Sequence, residues 1–191
     1  MKILGICASL REDSNTNKIV KKIVEASGCD YELVYLKDLE IKPCTGCYNC
    51  MMTEGQCSQM DGMQSLYEKM MNAGAMVFGA PTYFLDVSGV AKCFIDRTMA
   101  IFYRGVGENA EIEVLGKRPL AGRPAVPVTT VAGNGHLRAI ETIKTYFQVN
   151  KMKIVDEIAE PVGMGDVSDM PEVMQKAEKA GKKLGEILRK K

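Results

Sequence analysis

Apolar residues fall along this chain in two alternating arrangements, short unbroken runs and longer stretches where they return at helical spacing. The runs cover residues 2–7, 31–36, 75–80, 125–131 and 152–158. Runs this short, rich in β-branched and aromatic residues, suit strands buried on both faces of a sheet. Between them lie amphipathic stretches. One helix after residue 16 puts Ile19, Val20, Ile23 and Val24 on one face, and others are expected over residues 63–71, 87–98, 137–148 and 170–188. Asp169 is placed to cap the last of these, with Pro171 just inside its start. The alternation predicts an α/β fold: a flavodoxin-like, doubly wound sheet of five parallel strands in the order 2-1-3-4-5. Pro127 lacks an amide proton, so the fourth strand should carry a bulge or lie at a sheet edge there.

Size and charge narrow the function. The 191 residues fit one domain spanning 1–191, large enough to bury a core without staples. With 46% hydrophobic residues, 26% charged residues and a net charge of +1, the chain has neither a disordered composition nor a basic surplus for nucleic acid. The N-terminal apolar run is too short for a signal peptide, and no later run approaches a membrane span. A cytoplasmic protein with reduced thiols and no membrane partner is expected. Residues 105–124 are charged and rich in glycine and proline, as an insertion or an oligomer contact would be.

The most specific chemistry is a C-x2-C-x2-C-x6-C run, Cys44, Cys47, Cys50 and Cys57, in a loop at about 43–60 after the second strand. A structural zinc usually takes two separated pairs of ligands. Here the first three cysteines follow one another at a spacing of three, so one short loop can offer three thiolates to a 4Fe-4S cluster and the fourth closes the set. Zinc, disulfides and free thiols remain the alternatives. Cys7, Cys29 and Cys93 lie outside the run and read as small buried hydrophobes, and the Met51-Met52 and Met70-Met71 pairs as packing filler.

Three other loops converge at the carboxyl edge of the expected sheet, where such folds bind ligands. Ser9, Arg11, Ser14, Asn15 and Thr16 precede the first helix and suit a phosphate, although Ser14 or Asn15 equally suits a helix cap. Pro81 ends the third strand, and Thr82, Tyr83 and Phe84 can wall a flat ring or simply lie over the core. Gly133, Asn134, Gly135 and His136 form a turn after the fourth strand. His136, the only histidine, suits either a proton donor or a helix cap. Together the loops outline a mononucleotide site for FMN.

With these residues the chain resembles the iron-sulfur flavoproteins of anaerobic archaea and bacteria, a branch of the NADPH-dependent FMN reductase and flavodoxin-like superfamily. The likeness covers nearly the whole length. It rests on Ala8-Ser9-Leu10-Arg11 with Asn15-Thr16, on the compact cysteine run, on Ala80-Pro81-Thr82-Tyr83, and on Ala91-Lys92-Cys93-Phe94-Ile95-Asp96-Arg97. It implies a 4Fe-4S cluster on the four cysteines and FMN on the other loops. It also implies ferredoxin or a similar carrier as donor, a small oxidant as acceptor, and a homodimer or homotetramer. The first loop departs from the family's usual Gly-Ser-Pro-Arg, and Gly133-Asn134-Gly135-His136 stands where a Gly-Gly pair with Gln and Glu is common.

The expected function is therefore that of an oxidoreductase passing electrons between cluster, flavin and an external partner, with no catalytic acid or base of its own. An NAD(P)H-dependent FMN or quinone reductase with structural zinc is one rival. A flavin-based redox sensor is another.

Overall fold

A computed structural model describes residues 1–104 and 118–190 of the protein. Most of the expected insertion over 105–124 lies outside the described residues. Within its described part, Arg118 stacks over the Phe102 ring at 4.6 Å and Pro124 opens a strand.

Each apolar run becomes a strand and each amphipathic stretch a helix. In chain order the elements are β1 (Ile3–Cys7), α1 (Asn15–Ala26), β2 (Tyr31–Tyr35), α2 (Asn49–Met52), α3 (Met63–Asn72) and β3 (Ala75–Gly79). There follow β4 (Thr82–Tyr83), β5 (Asp86–Val87), α4 (Gly89–Arg97), α5 (Met99–Phe102) and β6 (Pro124–Val131). The chain closes with α6 (His136–Val149), β7 (Lys153–Ile154), β8 (Ile158–Pro161) and α7 (Pro171–Arg189).

The main sheet runs β2-β1-β3-β6, all parallel, with β7 and β8 both paired to the far side of β6. This is the expected 2-1-3-4-5 order, with one correction: the fifth strand is broken into two pieces. Its register slips along β6, since Ala125 faces Ile154 but Val128 faces Ile158. Val155, Asp156 and Glu157 therefore stand against only Val126 and Pro127. Pro127 is the cause. The Val155 amide still reaches the Ala125 carbonyl, 3.0 Å away. Two residues on, where the same edge of β6 should offer an amide, Pro127 has none. The bulge is thus in the partner strand, and β6 is internal, buried along its whole length, rather than a sheet edge.

Alternation along the strands splits the core in two. Leu4, Ile6, Met76 and Phe78 pack on one face with Leu66, Phe94 and Phe147 from α3, α4 and α6. Ile3, Val77, Val126 and Val128 pack on the other with Ile19, Ile23, Ala177 and Leu184 from α1 and α7. The Phe78 and Phe94 rings meet edge-on with centroids 5.2 Å apart, a favoured aromatic geometry.

Four smaller expectations need correction. The helix expected over 87–98 is present but starts at Gly89, because the β4–β5 hairpin takes Val87 and Ser88 caps the helix. Met170, not Asp169, occupies the N-cap of α7, Asp169 being held in a short 3-10 turn. Cys7 is buried, and that burial pushes its thiol pKa up to about 12, but Cys29 and Cys93 are only half-buried. Met70 fills the core, whereas Met52 is 80% exposed. Among the described residues no helix is long and apolar enough to cross a membrane.

Candidate functional site

The loops after β1 and β3 meet as expected. Ser9, Arg11, Ser14, Asn15 and Thr16 from the first, with Pro81, Thr82 and Tyr83 from the second, line one cavity of about 180 Å³. Thr130, Val131 and Ala132 at the end of β6, and Val162 and Gly163 after β8, complete it. Sequence reasoning missed these last five. A signal existed, because Pro161-Val162-Gly163-Met164-Gly165 is a turn-rich segment following the last strand, at the same sheet edge.

Several of these side chains also hold the cavity together. Ser14 caps α1, its Oγ accepting the Asn17 amide at 3.2 Å. The Asn15 amide group donates to the Gly165 carbonyl at 2.8 Å and accepts from the Val167 amide at 2.9 Å, tying α1 to the segment after β8. The Thr16 and Thr130 hydroxyls, both buried, lie 2.6 Å apart and join α1 to β6. Ser9 accepts the Arg11 amide at 3.3 Å, which curls the loop. What the cavity presents is the N-terminal end of α1, where amides and dipole favour an anion, with the exposed Arg11 beside it.

Beyond Thr82 and Tyr83 the chain turns through Phe84 (φ 47°) and Leu85 (φ 68°) into β5. Tight hairpin turns of this kind normally take asparagine or glycine, so two bulky residues in the left-handed region mark a strained tip. Phe84 is wholly exposed there and lies outside the cavity lining. The tip is anchored from behind. Thr142 donates to the Asp86 carboxylate at 2.7 Å and Arg138 does so at 3.1 Å. Burial alone would raise the pKa of Asp86, but these bonds and the Val87 amide hold it below its usual value.

Of the expected Gly133–His136 turn, none lines the cavity. Gly135 packs on the hairpin, a Cβ there coming within 2.7 Å of Leu85, and His136 starts α6 with Nδ1 out of solvent and without a partner.

The cysteine run borders a second cavity, of about 300 Å³. Cys44 and Cys47 are exposed and Cys50 and Cys57 half-buried, all as free thiols. All four line it, and among the described residues no three His, Cys, Asp or Glu side chains are grouped to hold one metal ion. Left-handed residues at Gly46, Tyr48, Glu54 and Gly55 bend the loop around α2, and the Gly55 amide closes it onto the Cys50 carbonyl at 2.8 Å. The Asn49 side chain adds a cross-link to the Gln56 carbonyl at 2.9 Å. Ser58, 3.2 Å from the Cys47 sulfur, lowers that thiol's pKa. Burial first, and then negative charge on Cys57 and Cys44, raises that of Cys50.

Beneath the loop lies an ion pair that sequence reading did not identify. Arg97 and Asp61 meet through two bonds, 2.6 and 3.0 Å long, with side chains 1% and 0% exposed. Asp61 also accepts the Lys42 and Met63 amides, each at 3.0 Å. Burial alone would raise the Asp61 pKa, but these partners hold it down.

Helix α4 links the two cavities. Ser88 caps its start and donates to the Ala8 carbonyl at 2.7 Å, beside the first cavity. Arg97 at its end borders the second. Its nine residues set them apart by a helix of ~13 Å.

Comparison with known proteins agrees with this architecture. The family model for NADPH-dependent FMN reductase matches residues 1–165. An iron-sulfur flavoprotein of Methanocaldococcus jannaschii is 29% identical, covering 99% of this chain and 98% of its own. One of Archaeoglobus fulgidus is 31% identical over 71% of this chain and 69% of its own. Among solved structures, the NAD(P)H:quinone oxidoreductase from Methanothermobacter marburgensis superposes with a TM-score of 0.69 at 16% identity, covering 96% of each chain, a likeness of fold alone. The cysteine loop on a flavodoxin-like sheet, the family match over residues 1–165 and the relatives' likeness together place this chain in the iron-sulfur flavoprotein branch of the NADPH-dependent FMN reductase family of oxidoreductases.

Proposed function

We propose that the protein is an electron-transfer flavoprotein that binds FMN in the first cavity and a 4Fe-4S cluster in the second. The observation that carries the reading is that Cys44, Cys47, Cys50 and Cys57 all line one cavity bordered by α4 and α5. Soft thiolate donors in that number suit an iron-sulfur cluster, and a cage able to hold one needs room between its sulfurs. Bound there, the two groups would supply two-electron and one-electron chemistry respectively.

The protein's own part is positional. The first turn of α1 and Arg11 would take the phosphate, and Pro81, Thr82 and Tyr83 would flank the ring. Phe84, Gly133, Asn134, Gly135 and His136 would stand at its outer side, beyond the cavity lining. No side chain need act as acid or base. The electron donor would be ferredoxin or a similar one-electron carrier and the acceptor a small oxidant, in a homodimer or homotetramer.

Anaerobic purification followed by an absorbance spectrum and iron, sulfide, zinc and FMN analysis tests the reading. About four irons and four sulfides per FMN are expected, with broad absorbance near about 400 nm. Zinc with FMN would replace the reading by a flavin reductase with a structural metal. Steady turnover between a donor and an acceptor separates an enzyme from a redox sensor.

A further inference from the structure

The guanidinium of Arg97 holds the cysteine loop by both ends. Nη1 donates to the Lys42 carbonyl at 2.9 Å and to Asp61 Oδ2 at 2.6 Å. Nη2 donates to the Gln59 carbonyl at 3.3 Å and to Asp61 Oδ1 at 3.0 Å. Lys42 stands two residues before Cys44, and Gln59 two residues after Cys57. One planar cation thus fastens the two points where the chain enters and leaves the cysteine run. Tyr67 in turn fixes the end of α4, its hydroxyl donating to the Arg97 carbonyl at 2.9 Å.

A guanidinium has five N–H donors, and these bonds use the four on its Nη atoms. The fifth, on Nε, is out of solvent and has no partner. A buried donor on a charged group is costly to leave unpaired, so such an orphan calls for an acceptor. Arg97 lines the second cavity. The carboxylate on the same rim, Asp96, is already engaged by Lys92 at 2.6 Å. Four cysteine sulfurs line the same cavity.

We infer that Arg97 is the positioning residue of the thiolate cage, closing the loop through its Nη atoms and donating its Nε–H to a sulfur of the bound cluster. The inference rests on the cluster reading above. A donor to sulfur favours the more negative, reduced state, so it raises the reduction potential.

Two measurements on anaerobically purified protein test it, after metal analysis has shown that the wild type carries iron and sulfide. The first is pulsed EPR of the reduced wild type grown on 15N-arginine, in which a 15N coupling to the cluster is expected. The second is a potentiometric titration of Arg97→Lys, which keeps a cation for Asp61 and removes Nε. The equilibrium for one-electron reduction should fall about tenfold, a shift of about 59 mV towards negative potential, and the coupling should vanish. A 15N-silent spectrum from an iron-loaded wild type overturns the inference, whatever the variant does. If Arg97→Lys does not fold, the labelled wild type still decides. Zinc or no metal in the wild type overturns the cluster reading itself, and is seen before either measurement begins.

Discussion

Gly55 lies so close to Ala100 that a Cβ on it would stand 2.5 Å from the Ala100 carbonyl oxygen. The Arg104 amide would be 2.9 Å away, and Gly55 has a φ of +85°. Both facts require glycine. This contact seats the middle of the cysteine loop on α5, as Arg97 seats its ends.

Gly55→Ala should therefore unseat the loop while leaving the sheet intact. Left-handed strain alone costs about 1–3 kcal/mol, and besides the Arg104 side chain two facing atoms are backbone, which cannot swing aside. Circular dichroism should be unchanged. Alkylation of the four loop thiols in metal-free protein should become faster than in the wild type, and equal rates would show that the seat does not matter.

Cys47→Ala should lose iron and keep FMN. The cavities lie at opposite ends of α4, and no residue lines both. Iron and flavin analysis of one anaerobic sample checks this. Loss of both groups would mean that the loop shapes the flavin site as well.

Asp61→Ala would leave the Arg97 charge buried without its partner. Breaking a buried pair from one side costs about 3–5 kcal/mol. The exposed Lys92–Asp96 pair is the control, its side chains 58% and 41% exposed, and Lys92→Ala should cost less than about 1 kcal/mol. Urea midpoints of the metal-free variants read the difference directly.

Phe84→Asn separates stability from binding. Asparagine tolerates the left-handed region that costs a bulky residue about 1–2 kcal/mol, and Phe84 has no burial to lose. The melting temperature of the flavin-free protein should rise. FMN affinity should fall, as measured by flavin fluorescence quenching, if this ring is kept exposed at the strained tip for the ligand. A variant that gains stability and binds FMN unchanged would remove Phe84 from the site.

Much of the molecule was legible because its signals are local. The apolar runs gave the strands, the 3.6-residue period gave α1, α3 and α6, and the order of loops along the chain put residues 9–16 and 81–83 at one edge. The grouping of the four cysteines was legible from spacing, and all four line one cavity. Roles within the loops were less legible. Ser14 caps α1, one of the two readings the sequence offered, but Asn15 and Thr16 also bond to Val167 and Thr130, more than a hundred residues away in sequence. No local pattern announces such partners.

By itself, then, the sequence determined the strand order, the sheet edge at which the loops after β1 and β3 meet and the close spacing of the four cysteines, since each depends on periodicity or short spacing. The tertiary structure alone decided where the fifth strand breaks and which segment closes the first cavity. It also paired Asp61 with Arg97 across 36 residues of sequence. Those features depend on which groups burial leaves facing one another, and an amide missing at Pro127 or a charge sealed beneath a loop acquires its meaning only from the neighbour that folding supplies.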